Sequence, residues 1–161
     1  MVYLHLLLAT VLAMLPAQVS PVYWILAFAA LYPLFRLCGL AHEASRLYAM
    51  RIEAGAMFVP WFTYQVFHAS LNVAKIVLSP RVQVEPAVVR VSVQTLDKRW
   101  ITLLGCLLSL TPGTLALDYR RRTGEMFVHV LDTRSTESIT GAIAELERRL
   151  MRWVQPQGGG R

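Results

Sequence analysis

Five polar side chains, Gln65, His68, Asn72, Lys75 and Ser79, recur at spacings of three and four residues inside an otherwise apolar run. On a helix this spacing places all five on one face. His68 is the member that can exchange a proton near neutral pH, and an ionisable side chain inside a membrane helix is a candidate functional residue. The simpler use of the same ring is a hydrogen bond to a neighbouring helix. A stripe of this kind does not face lipid cheaply, since a Lys at the bilayer centre costs about 2.5 to 3.5 kcal/mol, although Lys75 near a helix end can snorkel. The stripe therefore calls for another protein helix, a wet cavity or the headgroup layer.

Other chemistry-bearing residues are few. Arg120, Arg121 and Arg122 are consecutive and fall at an expected hairpin tip, where they suit a solvated turn, anionic headgroups or an acidic partner. Nucleic acid is not expected, because the strands lack an exposed aromatic stacking platform. The block Thr111, Pro112, Gly113, Thr114 is a structural turn: Pro ends a helix and Gly accepts positive φ before a strand. Neither a phosphate-cradling glycine loop nor GxSxG occurs, and His5, His42, His68 and His129 have no metal-ligand spacing. His129 reads as a cross-strand or surface residue. Cys38 and Cys106 lie far apart and read as buried reduced thiols. No cofactor, metal site or catalytic constellation is expected, and an enzyme is disfavoured for want of a nucleophile or an acid–base pair.

The elements that position these residues divide between two solvents. Hydrophobic residues make up 55% of the 161 and charged ones 16%, against roughly 25% charged in soluble proteins, and the mean hydropathy is positive. Residues 1–35 contain no Asp, Glu, Lys or Arg, whereas 13 of the 16 basic residues lie from Lys75 onward. Val2–Leu15 is apolar but short of the ~20 residues needed to cross a bilayer. It resembles a signal-peptide core but lacks a basic leader, and a second apolar run starts at once, so a retained helix is the better reading. Pro16 and Pro21 bracket a break, and Val22–Leu40 is a helix of spanning length that contains Pro33 and Arg36. His42–Glu53 reads as an interfacial connection, and Phe58–Leu78 as a third helix with Trp61 and Phe62 as an aromatic anchor. The length favours three spans. Two spans, with the third helix along the cytoplasmic surface, remain the alternative because Arg46 and Arg51 would otherwise fall outside.

The remainder reads as a compact basic unit. Val89, Val91 and Val93 alternate with polar residues as a strand, and Asp97 can cap a helix through Trp100, Ile101, Leu104, Leu107 and Leu108. Leu115, Leu117 and Tyr119 form a second alternating strand, Arg121–Gly124 a turn, and Met126, Val128 and Val130 a third strand. Ile139, Ala142, Ile143, Leu146, Leu150 and Trp153 mark a last helix, with Ser135 or Thr136 as cap. The expected fold is a membrane α-helical N-terminal half of two to three helices plus a small cytoplasmic α+β domain. That domain is a ferredoxin-like split β-α-β-β-α without its fourth strand. The boundaries are 1–79 for the transmembrane region, 80–154 for the basic domain and 155–161 for a disordered tail. A unit of roughly 75 residues supplies only about 3 to 5 kcal/mol from its own core, so it is expected to lean on the membrane or a partner.

The blocks ASLNVAKIVLSP at 69–80, VRVSV within 88–93, LSLTPGTLALD at 108–118 and FVHVLD at 127–132 lie in an order and spacing that resembles the E subunit of Mrp-type multisubunit monovalent cation/proton antiporters. The resemblance covers roughly Tyr64 to Asp132, and TPGT followed by a strand is its most specific part. It implies a bacterial inner-membrane complex that exchanges Na⁺ or K⁺ for protons. It further implies that this chain is an accessory subunit, needed for assembly or efficient operation, with the other antiporter subunits and the bilayer as partners. Many members of that family carry Glu at the position of Gln65 and Lys at that of His68. Gln65 cannot exchange a proton, so no proton relay carries over to it. The alternative, from a different class, is a membrane-anchored small-ligand or metal-sensing domain.

Overall fold

The computed structural model describes residues 1–15, 20–40, 42–79, 84–95, 97–132 and 136–156, with the side chains of 136–138 outside that description. Two compact units form, one of Met1–Gly55 with Arg152–Arg161 and one of Ala56–Met151.

The first unit is helical. Its α1 runs over Val2–Ala13 and α2 over Pro21–Cys38, and the first part of α3, Glu43–Leu78, completes it. The Ser20 hydroxyl accepts from the Val22 amide at 3.3 Å, and Pro21 occupies the first turn, where its missing N–H is not needed. Pro16 lies outside the described residues. The buried positions shared by α1 and α2 are small, Ala9, Ala13 and Ala27, with Phe28 and Leu31 packed against them. Small residues let two backbones approach closely, which is how helices associate where lipid removes the hydrophobic drive between them. Leu4, Leu7, Val11, Val22, Ile25 and Leu26 point outward. Among the described residues, only α2 is both long and apolar enough to cross a bilayer; α1 is apolar but shorter.

Two expectations are corrected here. His42–Glu53, expected as an interfacial connection ahead of the third helix, is helical from Glu43 onward, because those residues belong to α3, which continues without a break to Leu78. Good helix formers, including Ala44, Arg46, Leu47, Ala49 and Met50, keep the turn regular despite the charges that suggested an interface. At 36 residues α3 exceeds the ~20 that a crossing requires. The cysteines are free but exposed rather than buried: Cys38 is the last residue of α2, and Cys106 lies away from the Ile101, Leu104 and Leu108 face of its helix.

Gly55 holds a close approach. A Cβ there would lie 2.6 Å from Nε1 of Trp153, so a side chain at this point would collide with the indole.

The second unit packs helices on an antiparallel sheet of β1 (Ala87–Ser92), β2 (Thr114–Arg120) and β3 (Glu125–Val130), in the order β1-β3-β2. Val89 faces Val128 across β1 and β3, and Ala116 faces Val128 across β2 and β3. Met126, Val128 and Val130 are buried, as are Val91 and Val93, so the period-two reading of β1 and β3 holds. Asp97 caps α4 (Lys98–Leu110) through the Arg99 amide at 2.9 Å, as its position predicts. Gly105 brings α4 onto the sheet, where a Cβ would sit 3.6 Å from that of Ala116. Ile143, Leu146 and Leu150 are the buried hydrophobic positions among the described side chains of α5 (Thr136–Val154). Ser135 lies outside the described residues, as does the Thr136 side chain, so the predicted cap is not described; of the expected tail, 157–161 also lie outside.

The β2 pattern departs from expectation. A register shift between Ala116 and Asp118 inserts one residue, so the inward-facing positions change parity along the strand. Leu115 and Leu117 are exposed and Tyr119 is half-buried. An alternating sequence cannot reveal a bulge that reverses its own phase.

Candidate functional site

The polar stripe on α3 does not behave as one surface. His68, Asn72 and Lys75 are exposed, whereas Gln65 and Ser79 are half-buried. Asn72 Nδ2 and His68 Nδ1 lie 3.3 Å apart, one helical turn from each other, so two members partly satisfy one another. Tyr64 stacks near His68 with ring centroids 6.1 Å apart. Tyr64, Phe67 and Leu71 are exposed beside them, which gives this side of α3 a mixed polar and apolar character.

Gln65 instead faces the α/β unit. With Trp61, Phe62, Leu108, Thr111, Thr114, Ile143 and Leu146 it lines a cavity of about 120 Å³. Thus the structure brings together Gln65 and the two threonines of the TPGT block, which sequence spacing treats as separate features. Trp61 and Phe62, expected as a lipid-interface anchor, are half-buried in this lining. The Arg149 guanidinium of α5 lies 4.5 Å from the centroid of the Trp61 ring, a cation–π contact, and the same guanidinium pairs with Glu145. The cavity wall is apolar apart from one amide and two hydroxyls, and its lining residues contain no carboxylate, histidine, lysine or cysteine.

The TPGT block terminates α4. Thr111 Oγ1 donates to the Leu107 carbonyl at 3.1 Å and Thr114 Oγ1 to the Leu108 carbonyl at 2.7 Å, so two of the carbonyls left open at a helix end are satisfied. Gly113 takes φ +91°, which a Cβ would oppose, and its carbonyl accepts from the Leu131 amide at 2.9 Å. Val73 of α3 lies 3.5 Å from where that Cβ would stand. Both hydroxyls of the block therefore serve the backbone.

The three arginines separate. Arg120 belongs to β2 and its guanidinium lies 4.7 Å from the centroid of the Phe127 ring on β3, whereas Arg121 and Arg122 occupy the exposed turn that Gly124 closes with φ +70°. His129 is half-buried on the sheet face opposite Val128 and Val130, between Val88 and Leu115 in register.

Three arrangements were not anticipated from sequence. Glu147 of α5 is buried, and its Oε1 accepts from the backbone amides of Gln94 and Thr95, each at 2.8 Å, which fixes the segment between β1 and α4. In the first unit, Tyr32 donates to Glu53 Oε1 at 2.5 Å and Arg36 Nε donates to the same oxygen at 2.8 Å, joining α2 to α3. The third is His5, which is fully buried. Its Nδ1 lies 2.7 Å from the Tyr48 hydroxyl and its Nε2 2.9 Å from the Phe28 carbonyl. Phe28 stacks on the ring at 4.0 Å between centroids and Phe35 at 4.5 Å. A histidine in an otherwise largely apolar helix was the available signal, but its partners lie 23 and 43 residues away. Among the described residues, no group of three or more His, Cys, Asp or Glu gathers as a metal site.

Comparison with known proteins fits this architecture. A family model described as Na+/H+ ion antiporter subunit matches residues 3–153. The E subunit of the Na(+)/H(+) antiporter of Alkalihalophilus pseudofirmus is 33% identical over 92 residues, which cover 57% of this chain and 58% of that protein. Its counterpart in Bacillus subtilis is 33% identical over 85 residues, covering 52% and 53%. The matched region thus spans somewhat more than half the length of these relatives. Among solved structures, a chain of the Mrp complex from Dietzia sp. matches with a TM-score of 0.50 and 27% identity over 62% of this chain and 94% of the other. A chain of an archaeal membrane-bound sulfane sulfur reductase shares the fold, with a TM-score of 0.54 and 21% identity over 92% and 97%. Matched by the family model along nearly its whole length, the chain belongs to the Na+/H+ ion antiporter subunit family.

Proposed function

We propose that this chain is an accessory, non-catalytic subunit of a multisubunit Na⁺(K⁺)/H⁺ antiporter in the bacterial inner membrane, required for assembly or efficient exchange. The observation that carries this reading is the exposed side of α3, where His68, Asn72 and Lys75 stand beside Tyr64, Phe67 and Leu71. Polar groups among large apolar ones suit lateral contact with another membrane helix, where they find partners that lipid cannot offer. The family supports the reading, and so do the relatives, which are antiporter subunits and a chain of an Mrp complex.

In this reading residues 1–79 are the membrane region, crossing more than once, and 80–154 form a cytoplasmic domain of ferredoxin-like split type, followed by a tail at 155–161. The position of β3 between β1 and β2 supports that topology. Arg121 and Arg122 meet anionic headgroups or an acidic neighbour. Gln65, His68, Asn72, Lys75 and Ser79 act in assembly, Gln65 by bracing α3 on the α/β unit. Deleting the chain should abolish Na⁺ resistance of the host, and His68→Ala should reduce recovery of the other subunits after mild-detergent purification. Cation transport by the purified chain alone in liposomes would overturn the accessory role. Labelling of Glu53→Cys by an impermeant reagent from the cytoplasmic side would overturn three spans.

The second reading, a membrane-anchored small-ligand sensor, draws on the cavity between Gln65 and Thr111. A small apolar ligand that protects Trp61 from fluorescence quenching would support it.

A further inference from the structure

We infer that the outer edge of β1 receives an extended segment of a neighbouring subunit as a fourth strand, an inference that rests on reading the chain as one subunit among several. β3 lies in the middle of the sheet, so β1 and β2 are its edges, and among the described residues no further strand pairs with either. The Val93 amide donates to the Gly124 carbonyl at 2.9 Å, in the same register that pairs Val91 with Met126 and Val89 with Val128. Val89, Val91 and Val93 therefore turn their main-chain groups toward β3. By the alternation of an antiparallel ladder, Val88, Arg90 and Ser92 turn theirs away from it. Their N–H and C=O groups form a row to which another strand can bond.

The two edges are built differently. β2 carries the bulge between Ala116 and Asp118, a device that blunts an edge against pairing. β1 runs six residues in unbroken register with no proline, glycine or lysine. Val88 is exposed on one face of the sheet, and Val89, which points to the core side, is only half-buried. An added strand would therefore cover apolar surface on both faces.

Charge selects the occupant. Arg90 is the only charged side chain of β1, is exposed, and has no ion-pair partner among the described residues. A second copy of this strand in full antiparallel overlap would set Arg90 against Arg90, and like charges directly opposite destabilise a strand pair. The chain's own residues 155–161 contain Pro156 and three glycines, residue types that are depleted in strands. The occupant that fits is an extended segment of another polypeptide, apolar on the side beside Val89 and Val91, with an Asp or Glu opposite Arg90.

The test reads amide exchange residue by residue, for the chain in its mild-detergent complex and for the full chain purified alone. The amides of Val88, Arg90 and Ser92 should exchange at least about tenfold more slowly in the complex, while those of Val89 and Val91, held by β3, should be slow in both. Val88→Pro removes one outward N–H and leaves the β3 ladder intact, since proline is tolerated on an edge strand. In the complex it should return Arg90 to the faster exchange of the chain alone. Arg90→Glu should speed exchange at Val88 and Ser92 in the complex by about fivefold. A photo-reactive side chain in place of Ser92 should cross-link to an acidic and apolar stretch of another subunit. Equal exchange at Val88, Arg90 and Ser92 in both preparations, with the other subunits present in the complex, overturns the added strand and leaves the accessory role standing. Cross-linking to a second copy of this chain overturns the inference as well. A wild-type chain that co-purifies with no other subunit overturns both the inference and the accessory role.

Discussion

The two units of this chain differ in the size of the side chains that dominate their buried positions. In the unit of Met1–Gly55 the buried positions include Ala9, Ala13, Ala27, Ser45 and His5, while Leu7, Ile25, Leu26 and Leu34 face outward. In the unit of Ala56–Met151 the buried positions include Leu104, Leu108, Val128, Ile143 and Leu150, and Lys98, Arg121 and Arg148 are exposed. Both arrangements follow one rule, that apolar surface goes where water is not. In the proposed membrane reading they differ in where that place is. In lipid, packing between helices falls to small residues and satisfied polar pairs; in water it falls to large apolar side chains.

Substitutions that move a side chain against its own solvent sharpen this contrast. The largest effect should come from Leu150→Ala, which empties a position that is 1% exposed and should destabilise the α/β unit by about 2 to 5 kcal/mol, read as a lower urea midpoint for the full chain in mild detergent. Leu26→Lys places a charge on the outward face of α2 and should cost about 2 to 3 kcal/mol of insertion, read as a smaller carbonate-resistant fraction. Equal insertion of Leu26→Lys and wild type would break the comparison, since the outward face of α2 would then not be in lipid. Glu147→Ala strands two backbone amides and should cost about 1 to 3 kcal/mol, with faster hydrogen exchange at Gln94 and Thr95. The smallest effect should be that of Leu115→Lys, within about 0.5 kcal/mol, because this leucine already faces outward on β2. A large loss there would mean that the sheet face is covered in the assembly.

Much of the α/β unit was legible because its signals are local. The Asp97 cap, the Pro112–Gly113 stop, the Gly124 turn and the alternation of Val and Met along β1 and β3 each act within a few residues. The candidate site was legible only in part. Spacing identified the stripe on α3 but assigned all five residues the same surroundings, because periodicity reports a face and not what covers it. Gln65 went to the cavity with Thr111 and Thr114 while His68 stayed in the open.

Composition and order by themselves determined that an apolar helical half precedes a basic β-α-β-β-α half, and the four blocks between Ala69 and Asp132 were enough to indicate the antiporter-subunit family. Tertiary structure alone decided that a bulge reverses the phase of β2 and that His5, Tyr48 and Phe28 meet. Secondary structure is governed by interactions over three or four residues, which a sequence displays directly. A buried polar group is satisfied by whichever partner folding delivers, and its separation along the chain carries no trace of that choice.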